Sequence, residues 1–71
     1  MIDYSAFTEE ALEARLYELR QDHADFDAAI QALSAVTMPD MVTIGRLKRK
    51  KLALKDEITR VESYLNPDLI A

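Results

Sequence analysis

Apolar side chains recur every three or four residues along the first half of the chain, which is the spacing of one helix face. Alternating steps of four and three residues are typical of the contact line, or seam, of a coiled coil. Thr8 can cap this helix, because its hydroxyl can accept a hydrogen bond from a free N–H of the first turn. We therefore predict a helix over about residues 8–36. Its seam positions are Leu12, Leu16, Leu19, His23, Phe26, Ile30 and Leu33.

A second stretch with the same spacing occupies the other half of the chain. Asp40 can cap its first turn, and Asn66 followed by Pro67 can end it. We predict a second helix over about residues 41–65. Each seam contains one polar residue, His23 in the first helix and Lys51 in the second. The seam positions of the second helix are Ile44, Leu47, Lys51, Leu54, Ile58, Val61 and Leu65.

The short connection over about residues 37–40 decides how the two helices meet. Pro39 disfavours helical geometry at Met38, so we expect the chain to turn there. The helices then become antiparallel neighbours, and seam positions pair when their numbers add up to 77, as for Leu16 and Val61. The predicted fold is an all-α, antiparallel, coiled-coil-like two-helix hairpin that forms one domain over residues 1–71, with a short tail after residue 65. The residues expected to close its open end are Tyr4, Phe7, Leu69 and Ile70.

Charge is distributed unevenly along the chain. Residues 1–40 hold nine acids and two bases, and residues 41–71 hold four acids and seven bases, which together give a net charge of −4. Antiparallel packing of the two halves is expected to neutralise much of this asymmetry. The expected contacts between the helices are Asp27 with Lys48 and Lys55, Arg20 with Glu62, Asp22 with Lys50, and Arg15 with Glu57.

The small size of the chain favours self-association. A chain of 71 residues without cysteine has a small core and no disulfide to support it. We therefore expect two hairpins to pack together as a helical bundle. A second surface for helix packing is available near the loop, although alanine also favours helix formation in its own right. The residues of that surface are Ala28, Ala29, Ala32, Ala35, Val36, Met41, Gly45 and Leu52.

The sequence offers little support for catalysis. One His and no Cys exclude thiolate chemistry and the usual zinc sites, and a hairpin has no cleft in which paired carboxylates can act. We therefore expect no catalytic residue, no metal and no cofactor. We interpret His23 as part of a polar layer next to Lys51, of the kind that fixes the register of a coiled coil. The candidate register cluster consists of His23, Asp27, Lys51 and Lys55.

Basic residues are concentrated in one segment of the second helix. Six of the nine basic residues lie within residues 46–55. A basic helix face can neutralise the phosphates of a nucleic acid, and it can also be a solvated face that pairs with an acidic neighbour. Few aromatic residues accompany these bases, so stacking on nucleobases is not favoured. The candidate interaction surface consists of Arg46, Lys48, Arg49, Lys50 and Leu52.

Two blocks of sequence resemble the YdcH-like family of short bacterial helical proteins, a domain of unknown function. The first block is HADFDAAI, which begins at His23, and the second is LKRKKLALKDEI, which begins at Leu47. Phe26 stands where the family pattern has Leu, a change that keeps the seam apolar. The resemblance covers about residues 19–65 and implies a cytoplasmic bacterial helical hairpin without implying an activity. It groups six polar residues, which are His23, Asp27, Lys48, Lys51, Lys55 and Asp56.

These observations together predict a small, non-enzymatic helical interaction or adaptor protein. We expect a cytoplasmic protein without a membrane partner, because no apolar run resembles a membrane span or a secretion signal. A protein partner, which the sequence does not name, would bind a helix face or the surface near the loop. The alternative is a factor associated with RNA, DNA or the ribosome that uses the basic residues 46–55.

Overall fold

A computed structural model describes residues 2–67 and contains two helices that run antiparallel along each other. The first helix, α1, spans Glu9–Ser34, and the second, α2, spans Met41–Leu65. The molecule measures 46 × 22 × 21 Å, as expected for two helices side by side. The predicted all-α helical hairpin is therefore confirmed. Leu69 and Ile70, which were expected at the open end, lie outside the described residues.

Side-chain caps set the start of each helix, as their sequences predict. The Thr8 hydroxyl accepts a hydrogen bond from the Ala11 N–H at 3.1 Å. The Asp40 carboxylate accepts from the N–H groups of Val42 and Thr43, each at 3.1 Å. At its other end, α1 stops at Ser34 because the Ala35 N–H bonds to the Ala32 carbonyl in a tighter turn. Helix α1 is therefore shorter than the predicted range of 8–36.

The predicted seam lies between the helices, and none of its fourteen positions is exposed. The tightest part of the core lies toward the open end, where Leu16 and Leu19 pack with Ile58 and Val61. Only Ile30 and Ile44 are buried at the loop end, and the middle of the seam is half-buried. The core is therefore more completely buried at the open end than in the middle of the hairpin. The half-buried seam positions are His23, Phe26, Leu33, Leu47, Lys51, Leu54 and Leu65.

Tyr4 completes the core from outside the heptad pattern. The chain before α1 folds across the open end, and Tyr4 is fully buried with 0% of its surface exposed. Its ring packs edge-on against Phe7 and Tyr64, with centroids 5.0 and 6.1 Å away. The expectation that Tyr4 closes the open end is confirmed, and Phe7 covers it while staying 38% exposed. This aromatic cap explains why the open end is the better packed end.

The charged flanks pair less than predicted. Arg20 and Glu62 form the expected ion pair at 3.2 Å, but Asp27 binds Lys51 at 2.6 Å, not Lys48 or Lys55. These are the two ion pairs between helices among the described residues, and Asp22 makes none with Lys50. Of the expected contacts, those of Asp27 with Lys48 or Lys55 and of Asp22 with Lys50 therefore form no ion pair within residues 2–67. Asp27 pairs with Lys51 because Lys51 occupies a seam position, whereas Lys48 and Lys55 occupy exposed positions further from α1.

Neither helix is long and apolar enough to cross a membrane within residues 2–67. The same stretch holds no group of three or more His, Asp or Glu side chains placed to hold a metal ion. All buried side-chain polar atoms in the described part of the chain have hydrogen-bond partners. No buried polar side chain in this part of the chain is therefore left free to bind a ligand, so candidate binding residues are sought on the surface.

Candidate functional site

A groove on one side of the hairpin gathers basic residues from both helices. It has a volume of about 370 Å³ and lies between His23 of α1 and the facing residues of α2. Lysines spaced three and four residues apart share one side of a helix, so residues 48, 51 and 55 project along one edge. We call this site the His23 groove. Its lining consists of His23, Lys48, Lys51, Leu52 and Lys55.

One carboxylate neutralises part of the His23 groove. Asp27 accepts a hydrogen bond from the Lys51 ammonium at 2.6 Å and another from the Gln31 amide at 3.1 Å. The Lys51 hydrogen bond and charge hold the pKa of Asp27 below its usual value, with a smaller contribution from His23. Lys48 and Lys55 form no ion pair with any described acid. The groove therefore keeps a surplus of positive charge in the described part of the chain.

Leu52 gives the His23 groove an apolar element. Its side chain is 64% exposed on α2. Lys48 and Lys55 lie one turn before and one turn after it along α2. An apolar residue between two exposed cations can bind a segment that carries both apolar and acidic side chains.

The structure brings the candidate register cluster together around this groove. His23, Lys51 and Lys55 line it, and Asp27 joins them through its ion pair with Lys51. Lys48, which the resemblance groups with these residues, lines the groove as well. Asp56 is exposed on α2 and is not part of the lining.

The candidate interaction surface is divided between different sides of α2. Lys48 and Leu52 line the His23 groove, whereas Lys50 lines a groove on the opposite side. Arg46 and Arg49 are exposed and line neither groove. Successive helical residues turn by about 100°, so positions two apart point to nearly opposite sides. The basic segment is therefore a ring of cations around α2 and not one continuous face.

The opposite groove is more apolar than the His23 groove. It has a volume of about 290 Å³ and an apolar lining of Leu19, Phe26, Ala53 and Leu54. Lys50 stands at its α2 edge, where Glu57 also contributes, and Arg15 contributes from α1. We call this side of the hairpin the Phe26 face. A third groove of about 450 Å³ surrounds the Arg20–Glu62 ion pair near the open end and is lined by further carboxylates at Glu9 and Glu13.

Sequence reasoning missed the polar network around Tyr4. The Tyr4 hydroxyl donates to Glu57 Oε2 at 2.7 Å and accepts from Arg15 Nε at 3.3 Å. Arg60 donates to Glu57 Oε1 at 2.6 Å and to the Ile2 carbonyl at 2.7 Å, and its guanidinium lies 5.4 Å from the Tyr4 ring centroid. The Tyr4 hydrogen bond, followed by the Arg60 contact, lowers the pKa of Glu57.

The predicted approach of Arg15 to Glu57 is the feature of the sequence that pointed toward this network. The register places the two residues on the same flank, but Tyr4 stands between them and bonds to both. The network joins the segment before α1 to both helices. The donors and acceptors of the network bind one another, so the network stabilises the open end of the hairpin.

Comparison with known proteins identifies a family for the chain. No curated protein and no solved structure matches the chain significantly. Residues 16–62, which contain the His23 groove and the core of both helices, match one family. The chain belongs to this family, described as "Protein of unknown function (DUF465)", which includes the YdcH-like proteins.

Proposed function

We propose that the protein is a small, non-enzymatic adaptor of the cytoplasm that binds a protein partner through the His23 groove. The observation that carries the proposal is Leu52, which is 64% exposed between cations that have no acidic partner among the described residues. A partner that covers this leucine gains apolar burial, and the basic border adds selectivity for a partner of complementary charge.

The chemistry of the groove favours an acidic, amphipathic segment as the partner. Lys48 and Lys55 lie seven residues apart, or about 10 Å along the helix axis. Carboxylates two turns apart on a partner helix match that distance, while an apolar side chain between them meets Leu52. Binding of such a segment would use both the lysines and the leucine that line the groove.

Capture of a partner from native lysate tests this proposal. Tagged protein is used with and without nuclease and in high salt, beside a Leu52→Glu variant. We expect a defined protein to be captured in the presence of nuclease and of high salt. Leu52→Glu should reduce the amount captured at least tenfold, because it removes the apolar contact and places a carboxylate among the lysines. Tyr17→Glu is the matched control, since Tyr17 is 67% exposed on α1 and lies outside the groove.

A second function, binding to RNA or DNA, is favoured by a different observation. Of the six bases in residues 46–55, only Lys51 has an acidic partner among the described residues, and the other five are exposed. Exposed cations around a helix can contact phosphates without reading base sequence. This function would make binding fall steeply with salt concentration.

The same capture experiment separates the two functions. Captured material that disappears with nuclease and with an Arg46→Glu/Arg49→Glu variant would support nucleic-acid binding and contradict the adaptor proposal. Neither Arg46 nor Arg49 lines the His23 groove, so this variant leaves the adaptor site intact. A partner that resists nuclease and this variant, but not Leu52→Glu, supports the adaptor.

A further inference from the structure

We infer that the Phe26 face is the contact surface of a homodimer, in which two hairpins form a four-helix bundle around a twofold axis parallel to the helices. The inference does not depend on the proposed adaptor function, because the Phe26 face and the His23 groove lie on opposite sides of the hairpin.

The centre of the Phe26 face is apolar and incompletely covered. Phe26 and Leu54 are seam residues, yet both stay half-buried and line an open groove with the exposed Ala53. A phenylalanine at a seam position gains its full burial only when something packs on this side. A groove of about 290 Å³ with a small residue at its rim gives a second helix pair room for close approach.

The two edges of this face carry opposite charges. On α1, Asp22 lies one turn before Phe26 and is followed by Asp25, and both are exposed. On α2, Lys50 lines the groove and Arg46 lies one turn before it, and both are exposed as well. None of these four residues forms an ion pair within the described part of the chain. Arg15 and Glu57 also line this groove, but both bind Tyr4 near the open end. On the loop side of that network, the face therefore has an acidic edge on α1, an apolar centre, and a basic edge on α2.

A face of this kind is complementary to a second copy of itself. A twofold axis parallel to the helices places α1 of one protomer beside α2 of the other, which brings the acidic edge against the basic edge twice. A twofold axis perpendicular to the helices but parallel to this face would place acidic edge on acidic edge and basic on basic. Charge complementarity therefore selects the second copy and also the direction of the axis.

The uneven core provides the energetic reason for dimerisation. Six buried residues form one cluster at the open end, while the middle of the seam is only half-buried. Small domains without disulfides or metals commonly gain their missing burial by association. Packing two Phe26 faces together covers the part of the seam that a single hairpin leaves open.

Charge reversal with rescue tests the dimer. One variant carries Asp22→Lys/Asp25→Lys and the other carries Arg46→Glu/Lys50→Glu, and masses are measured by sedimentation equilibrium. We expect the parent chain at twice 8.1 kDa. We expect each variant alone to dissociate with a Kd at least tenfold higher, because like charges then meet across both edges. An equimolar mixture should restore the dimer, because the first variant has two basic edges and the second has two acidic edges.

The controls distinguish this interface from other outcomes. Lys48→Glu/Lys55→Glu reverses two charges on the His23 side and should leave the dimer intact. Circular dichroism confirms that each variant keeps its helices, which is expected because only exposed residues are changed. A monomeric parent chain overturns the inference. A dimer unaffected by both reversals also overturns it and points to the surface near the loop. A mixture that fails to reassociate overturns the proposed pairing of the two edges.

Discussion

Tyr4 shows how one side chain can tie three segments of a small protein together. Its ring is fully buried, while its hydroxyl lies between Arg15 of α1 and Glu57 of α2. A buried hydroxyl that contacts charged groups contributes more than a neutral pair, because those hydrogen bonds are charge-assisted. Arg60 adds a contact to the Ile2 carbonyl and so anchors the backbone of the same segment. The segment before α1 is therefore part of the fold.

Removing the Tyr4 hydroxyl should destabilise the hairpin. We expect Tyr4→Phe to lower the free energy of unfolding by about 1.5 kcal/mol, because the ring still packs but Glu57 loses its hydrogen bond. Urea unfolding followed by circular dichroism measures the change. Tyr17→Phe is the matched control, since Tyr17 is 67% exposed and should change stability little. Equal effects of the two substitutions would contradict the role assigned to the network.

The same network predicts a loss of stability in acid. Tyr4 first and Arg60 second lower the pKa of Glu57 from 4.5, so the folded state binds the proton less readily than the unfolded state. The stabilisation is present above about pH 4.5 and is lost as the pH falls through the lower pKa of the folded state. Stability measured from pH 6 to about pH 3 should decline less steeply for Glu57→Gln. Some decline should remain, because Lys51 and Thr43 likewise lower the pKa values of Asp27 and Asp40.

At the scale of the helices, local rules predict the starts well. Thr8 and Asp40 act as caps as expected, since capping depends on residues within one turn. The end of α1 differs from the prediction because nothing in its last turn carries a glycine or a basic residue that would mark the end. The position of Tyr4 at the open end was predicted, but its hydrogen bonds to Glu57 and Arg15 were not. Tyr4 lies outside the heptad pattern, and its hydrogen bond to Glu57 joins residues 53 positions apart.

Gly45 is a weak point inside α2. A Cβ added at this position meets nothing within 4 Å, and the backbone is ordinary helix. We expect Gly45→Ala to stabilise the hairpin by about 1 kcal/mol, because alanine loses less conformational entropy. Ala24→Gly in the exposed interior of α1 is the reverse control and should destabilise by a similar amount. Thermal unfolding of dilute protein checks both, and a destabilised Gly45→Ala would show that the glycine is needed.

The polar positions of the seam are expected to fix how the helices align. His23 and Lys51 are half-buried in a seam that is otherwise apolar, and Lys51 is held by Asp27. We expect His23→Leu/Lys51→Leu to raise the unfolding midpoint while allowing larger or mixed assemblies, because a uniformly apolar seam pairs in several ways. Sedimentation velocity and thermal melts measure both effects. A more stable variant with an unchanged assembly state would contradict the register hypothesis.

At the scale of the whole molecule, the charge asymmetry of the sequence is mostly left on the surface. Two ion pairs join the helices within residues 2–67, and Asp22, Asp25, Arg46 and Lys50 take part in neither. The heptad pattern predicts which residues meet at the seam, because burial is decided by apolar spacing. It does not predict which long, charged side chains pair, since those contacts contribute little energy and several geometries compete. The five residues that line the His23 groove were all singled out from the sequence, but in two separate sets. The sequence analysis did not predict that Lys50 lies on the opposite side of the hairpin.

The uneven core makes a further prediction about how the molecule opens. Local opening requires less free energy where fewer apolar contacts are broken, so amide exchange reports the packing along the hairpin. In dilute protein, amides near Leu16 and Ile58, beside the buried cluster, should exchange at least about tenfold more slowly than amides near Phe26.

Two comparisons make this exchange gradient decisive. Tyr4→Ala removes the aromatic closure and should erase the gradient, because the open end then loses its best-packed side chain. Raising the protein concentration should protect the amides near Phe26 selectively if two Phe26 faces pack together. Uniform protection along both helices at every concentration would mean that the hairpin opens as one unit, and the link between burial and local opening would then be wrong for this molecule.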